Sequence, residues 1–347
     1  MTSQVISKKT RKKSKYDCIC IGDIVTDAFI RLEPEYTDII SDSYHRYLKI
    51  EYGSKVPFEY AKIIPGVGNA GNAARSLARL GLDVAIVTNV GDDGHGREQS
   101  QSLLEDLISL EFVKVNYRTP SNYHYVLWHK EERTILIKHE EFDYYWPRIP
   151  EQSTPEWVYL TSLGDHGTKI YPDLISWLQL NPQVKLAFQP GTFQLNLDQD
   201  KYFYQRAEIV VLNKEEAATL FGTHPDDIVK NAQSLIKLGA KIAVVTDGPD
   251  GSYLLSPERG FKKLHKINPF PDFRPPVERT GAGDSYASTM IAAVIKGQDL
   301  NTAMRWAGVN SAYVVLEVGA AEGLQSQNQI MIDLKNAPED YNLTKIG

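Results

Sequence analysis

Late in the chain, Gly281-Ala-Gly-Asp284 brings together two things that group-transfer chemistry needs, an anion site and a base. The segment opens a run, Ser285 to Gly297, in which Ala287, Met290, Ile291 and Val294 recur at helical spacing. Gly281, Ala282 and Gly283 carry little bulk, so their main chain can approach a ligand. N–H groups at a helix N-terminus lack intrahelical partners and attract developing negative charge. Asp284 falls in the first turn, beside that charge. A carboxylate so placed can take a proton from a hydroxyl while neighbouring amides steady a phosphoryl group in transit. The structural alternative makes Thr280 an N-cap, Asp284 a complement to the helix dipole, and the glycines a tight turn.

Two further acids leave the first apolar run, in Gly22-Asp-Ile-Val-Thr-Asp27. The C-terminal end of a strand is where open α/β sheets bind ligands, and a carboxylate accepts paired hydrogen bonds from a vicinal diol. Asp27 is therefore a candidate for orienting a substrate, although Asp23 and Asp27 both suit turns. Gly66-x-Gly68-x-x-Gly71 is a literal dinucleotide fingerprint with Asp92 about twenty residues on, which defines an NAD(P)-dependent oxidoreductase as an alternative. Against it, residues 58–64 are half polar and Pro65 intervenes, whereas the first strand of such a unit is buried on both faces. Asn213-Lys-Glu-Glu216 fits an amide and a carboxylate steering Mg²⁺ through water, and equally fits a helix capping box. No Walker A, His-Glu-x-x-His or Cys-x-x-Cys pattern occurs, which sets aside P-loop, zincin and zinc-ribbon chemistry.

These residues need a scaffold, and 347 residues at 42% hydrophobic suffice for one large α/β domain with an elaboration, or for two domains. Cys18 and Cys20 sit in an apolar strand-like run and read as core residues, so no disulfide framework is expected. No apolar run is long enough to span a membrane, and Met1 to Ser7 lack a signal-peptide core, so a cytoplasmic protein is expected. Net charge is −6, yet Lys8, Lys9, Arg11, Lys12, Lys13 and Lys15 precede residue 16 without an acid, leaving about −12 on the rest. That balance disfavours a nucleic-acid surface on the folded body, and residues 1–15 read as a disordered basic tail.

Strand-like runs at Cys18 to Gly22, Val84 to Thr88, Trp157 to Leu160, Val184 to Phe188, Ile209 to Leu212 and Ile242 to Thr246 alternate with helical patterns. That rhythm predicts an α/β fold, a doubly wound, mostly parallel sheet flanked by helices, over residues 16–32, 65–112 and 144–347. Residues 33–64 and 113–143 differ: they alternate polar with apolar, are rich in tyrosine, and together predict one small sheet with a wet face.

Thr-Gly-Ala-Gly-Asp before a small-residue helix resembles the hallmark of the ribokinase-like (PfkB) family of sugar and nucleoside kinases. Gly68 through Asn72 to Gly81 resembles its N-terminal motif, apart from Val67 where a second glycine is common. The resemblance spans about Tyr16 to Ala320 and implies a ribokinase-like fold whose small sheet is a lid over the substrate. It implies that Asp27, Gly68, Asn69 and Asn72 hold substrate hydroxyls, with Asp284 as base and Gly281 to Gly283 as anion hole. Thr246, Gly248 and Gly251 match the nucleotide loop, Asn213 and Glu216 match the Asn-x-x-Glu motif, and Asn310 stands where the family approaches adenine. Turn chemistry, a capping box and a buried helical asparagine are the respective bland alternatives. Arg279 and Gln189 depart from the family pattern. The implied activity is ATP- and Mg²⁺-dependent phosphorylation of a small sugar or, alternatively, a nucleoside stacked on Tyr123, Tyr125 and Trp128. A monovalent-cation requirement, a homodimer through the lid and a non-catalytic sensor stay open.

Overall fold

Cys18–Ile21 is buried on both faces, Cys18 and Cys20 in one hydrophobic layer, Ile19 and Ile21 in the other. In the computed structural model, which describes residues 14–346 apart from 43–44, 130–131 and 165, this strand lies inside a ten-stranded sheet. From one edge the strands run Thr344–Lys345, Phe261–Ile267, Ser252–Ser256, Ile242–Thr246, Ile209–Asn213, Lys185–Phe188, Trp157–Leu160, Cys18–Ile21, Val84–Gly91 and Ser109–Asn116. Pairing is parallel from Ile242–Thr246 onward and antiparallel among the first four. Helices Asn69–Arg79, Ala282–Ile295 and Leu300–Val314 cover one face, and Tyr171–Leu180, Leu197–Arg206 and Ile228–Leu238 the other. Burial on both sides explains the near-continuous apolar runs of the parallel strands. Among the described residues no helix is long and apolar enough to cross a membrane.

The small sheet expected as a lid, and called the lid below, has four strands, ordered Phe58–Val67, Val25–Leu32, Tyr123–His129, Glu132–Leu136. Its own core is Val25, Phe29, Ile64, Val67 and Val126, against which Val318 of the main body packs. A two-stranded hairpin, Thr37–Ser41 with Arg46–Ile50, stands beside it in sequence. The boundaries drawn from sequence need correcting. Val25–Leu32 belongs to the lid, since it pairs with Phe58–Val67 and Tyr123–His129, and Ser109–Asn116 pairs with Val84–Gly91 at the main sheet's edge. Cys18–Ile21 and Val25–Leu32 are separated by only three residues and both are largely buried, so only the pairing partners reveal that the chain changes sheets. Residues 1–13 of the expected basic tail lie outside the described residues. Lys15 belongs to the folded body, pairing with Glu111 at 2.5 Å.

Gly71, last of the three glycines, faces the Gly66 carbonyl: a Cβ there would come within 2.2 Å of that oxygen. The residue thus permits helix Asn69–Arg79 to pack on the end of the lid strand. Gly71→Ala should destabilise the fold by about 1–3 kcal/mol, as overpacking does. Thermal unfolding checks this, and an unchanged midpoint would show that the contact is not tight.

Candidate active site

Helix Ala282–Ile295 begins at Gly281, whose φ of +80° turns the chain into the first turn. A Cβ at Gly281 would lie 2.2 Å from Ala320 Cβ, so a larger residue there displaces the helix start. Ala282, Gly283 and Asp284 are the first three helical residues; the Ala282 N–H makes a long bond to Arg279 O at 3.4 Å, and the N–H groups of Gly283 and Asp284 lie ahead of the helix's own hydrogen-bond ladder. Gly283 is exposed, with open space where a side chain would be.

Asp284 points the other way, onto the start of Asn69–Arg79. Asn69 Nδ2 donates to its Oδ1 and Asn72 Nδ2 to its Oδ2, both at 3.0 Å. Gln189 Nε2, just past strand Lys185–Phe188, donates to Oδ1 at 3.0 Å and itself accepts from the Tyr159 hydroxyl. Burial raises the Asp284 pKa; the amides of Asn72, Gln189 and Asn69 oppose that shift, and the charge of Asp27 adds to it. A carboxylate made more basic yet fixed in place suits proton abstraction. Gln189, noted from sequence only as a departure, is thus in direct contact with the candidate base. Its position at the C-terminal end of a parallel strand was the available signal.

Asp27 lies in lid strand Val25–Leu32, in register with His124 of the neighbouring strand, whose Nδ1 is 3.3 Å from Asp27 Oδ1. Asp27 Oδ1, Asn72 Oδ1 and His124 Nε2 are buried without a hydrogen-bond partner, as side chains that await a polar ligand would be. Asp23 differs: Gly164 N–H and the Tyr144 hydroxyl both donate to it at 2.7 Å, so it ties loops together. Register pairing, which sequence spacing does not reveal, is what makes His124 a neighbour of Asp27. Of the aromatic residues considered for stacking, Tyr125 is exposed and Tyr123 half-buried, but Trp128 is buried with Arg31 over its ring.

On the opposite side of the helix start lies a cavity of about 540 Å³, within the range of small-molecule sites. Thr246, Gly248 and Gly251 line it, with Arg279, Ala282 and Gly283. Gly248 and Gly251 have φ of +51° and +96°, which glycine adopts freely. The segment Asn268–Asp272 also lines it, without a sequence signal. Asn310 requires correction. It is fully buried, donating to Thr289 Oγ1 at 2.7 Å and accepting from Gln325 N–H at 2.8 Å. Gly308, Ser311 and Ala312 line the cavity instead, because Asn310 lies about 200° round the helix from Gly308.

Asn213 and Glu216 form a reciprocal capping box, Glu216 N–H to Asn213 Oδ1 at 2.7 Å and Asn213 N–H to Glu216 Oε2 at 2.9 Å. Lys214 between them pairs with Asp247 of the cavity loop at 2.6 Å. Glu216 is pushed up to about 7, chiefly by burial and further by the charges of Asp284 and Glu215. A carboxylate whose proton affinity is raised by a neighbouring acid is a place where a divalent cation is favourable. Among the described residues no group of three or more His, Cys, Asp or Glu is placed to hold a metal ion. That donor set fits Mg²⁺, which keeps several waters and takes few protein ligands.

The Gly66-x-Gly68-x-x-Gly71 segment does not form a dinucleotide turn. The strand before it, Phe58–Val67, belongs to the lid and pairs antiparallel, so the fingerprint lacks its parallel βαβ setting.

The model of the pfkB family carbohydrate kinases matches residues 38–327. An ATP-dependent 6-phosphofructokinase of Thermoanaerobacterium thermosaccharolyticum is 25% identical, over 92% of this chain and 95% of that protein. A nucleoside kinase of Methanothermobacter thermautotrophicus is 26% identical, over 73% of this chain and 79% of its own. Among solved structures, Arabidopsis thaliana ribokinase complexed with ribose and ATP superposes with a TM-score of 0.73 at 18% identity, covering 92% and 99% of the two chains.

Because Glu216 binds its proton more tightly folded than at its ordinary 4.5, its contribution to stability is complete below that pH and is lost as pH rises through about 7. Asp200, pushed up to about 6 by burial, acts in the same direction. Glu216→Gln removes the first of these. The stability of wild type relative to the variant should therefore fall between about pH 5 and about pH 8. Thermal unfolding at both pH values checks this; a constant difference would contradict it.

Proposed function

The chain belongs to the pfkB family of carbohydrate kinases and is an ATP-dependent kinase with an alcohol group as acceptor; we propose that the acceptor is a hydroxyl of a small sugar or sugar derivative and that Asp284 is the general base. One observation carries this reading. Asp284 touches Asn69 and Asn72, while the two residues before it, Ala282 and Gly283, line the 540 Å³ cavity. A single helix start thus joins the acceptor side to the nucleotide side.

In this reading Asp27, Asn69, Asn72 and the Gly68 main chain hold the acceptor, Asp27 Oδ1 and Asn72 Oδ1, neither of which has a hydrogen-bond partner, taking its hydroxyls. Thr246, Gly248 and Gly251 hold the nucleotide, and Arg279 faces its phosphates across the cavity. Asp284 takes the proton as the acceptor oxygen bonds to the γ-phosphorus and the bond to the leaving ADP oxygen breaks. The Gly281 to Gly283 amides stabilise charge on the transferring group. Mg²⁺, bound with ATP, neutralises phosphate charge; Asn213 and Glu216 would hold it through water. The lid excludes water and limits wasteful hydrolysis.

A nucleoside acceptor is the second reading. It is favoured by the tilted Tyr123–Tyr125 pair, 5.1 Å between centroids, on the lid strand that carries His124. A homodimer through the lid also belongs here, because Phe58, Tyr60, Ile63, Tyr125 and Leu136 are exposed on it.

An ADP-release screen over sugars, sugar phosphates and nucleosides should give turnover with a sugar; a nucleoside alone would select the second reading, and silence would favour a ligand sensor. Asp284→Asn should lower kcat by about 10²–10⁴ with little change in acceptor KM, and a fully active variant would reject the base. Sedimentation should show a dimer that Tyr60→Lys with Leu136→Lys converts to monomer; a wild-type monomer would remove the dimer.

A further inference from the structure

Arg133 stands in lid strand Glu132–Leu136, opposite Trp128 of the strand that carries His124. Its Nη1 reaches out of the lid to Glu278 Oε1, 3.2 Å away. Glu278 is only 2% exposed. The same oxygen accepts from the Thr280 N–H at 2.8 Å and the Thr280 hydroxyl at 2.5 Å. Thr280 directly precedes Gly281, whose close fit to Ala320 leaves the loop little room on that side. One carboxylate oxygen is therefore shared between the lid and the loop that sets the Gly281 to Gly283 amides.

We infer that Arg133 is a positioning residue: by neutralising Glu278 from the lid, it makes the seating of the lid and the placement of the phosphoryl cradle one event. A buried carboxylate that loses its cation is strongly disfavoured. Glu278 Oε2 has no hydrogen-bond partner that would compensate. With Arg133 removed, Glu278 would turn toward water or take a proton, and in either case its hold on Thr280 weakens. The acceptor-side lid would then no longer report to the cradle. On its other side Glu278 is held by the main body, where Val277 N–H and Glu278 N–H donate to Val315 O at 2.8 and 3.2 Å.

The lid has a second attachment that Arg133 does not touch. Lys62 Nζ donates to Val318 O at 2.8 Å, and Val318 packs on the lid core. Replacing Arg133 therefore leaves the lid folded and attached, so the substitution tests coupling. Arg133→Lys restores a charge without the planar fork, and Glu278→Gln keeps an acceptor for Thr280 without the charge.

The inference rests on the kinase reading for what the cradle does, so its test reads main-chain protection in the full chain without ligand, where catalysis plays no part. Hydrogen exchange by mass spectrometry would follow the peptides spanning 132–136 and 278–284 in wild type, Arg133→Ala, Arg133→Lys and Glu278→Gln. In Arg133→Ala, exchange should rise about fivefold or more in both peptides while the distant strand Ile209–Asn213 is unchanged. Arg133→Lys should recover at least half of that protection, and Arg133→Ala should add less than twofold when introduced into Glu278→Gln. Faster exchange in the lid peptide alone, or in neither, overturns the proposal, as does an equal effect of Arg133→Ala in both backgrounds. If Arg133→Ala unfolds the chain, Arg133→Lys decides by the same two peptides. A coupled change in a chain without kinase activity would sink the catalytic reading and leave the coupling standing.

Discussion

Asp284 is a half-buried carboxylate at a helix start, and three side-chain amides from two separate stretches of chain converge on it: Asn69 and Asn72 from the first helix and Gln189 from a strand end. The rest of the site depends on this contact. It holds helix Asn69–Arg79 against helix Ala282–Ile295, so the acceptor loop and the anion site share one boundary. It also keeps the carboxylate aimed while burial makes it more basic. Without the amides, a carboxylate in this position would turn toward solvent or take up a proton permanently. Tyr159 orients Gln189 from within the sheet, so the geometry of the base is set by the core.

Charge is arranged around that contact in a definite order. Burial chiefly raises the proton affinity of Asp284 and Glu216, and neighbouring carboxylates add to it, Asp27 at Asp284 and Asp284 with Glu215 at Glu216. Carboxylates held at raised proton affinity cost stability that an uncharged side chain would not, and this is compatible with function taking precedence over maximal stability. Arg279 lines the cavity, and Arg133 pairs with Glu278 from the small sheet.

Much of this was legible in the residues. The parallel strands announced themselves as short apolar runs because both their faces are covered, and Gly281 to Asp284 announced a helix start with an acid in its first turn. The Gly66 to Gly71 glycines were misleading as a dinucleotide site, since the fingerprint does not say in which sheet the preceding strand lies. Asn310 was misread because matching a position in a motif says nothing about which side of a helix faces the cavity. Two residues along, the direction reverses.

The sequence by itself determined the elements, the two kinds of sheet and the identity of the candidate base, because periodicity, turn residues and helix-start chemistry are local properties of a few neighbouring residues. Only the tertiary structure decided that Val25–Leu32 leaves one sheet for another, that His124 faces Asp27, that Gln189 reaches Asp284 and that Arg133 pairs with Glu278. Each of those joins residues between 95 and 145 positions apart, or across a strand register. Such contacts are chosen by how whole layers pack and by which buried polar groups find partners, and no local pattern carries that information.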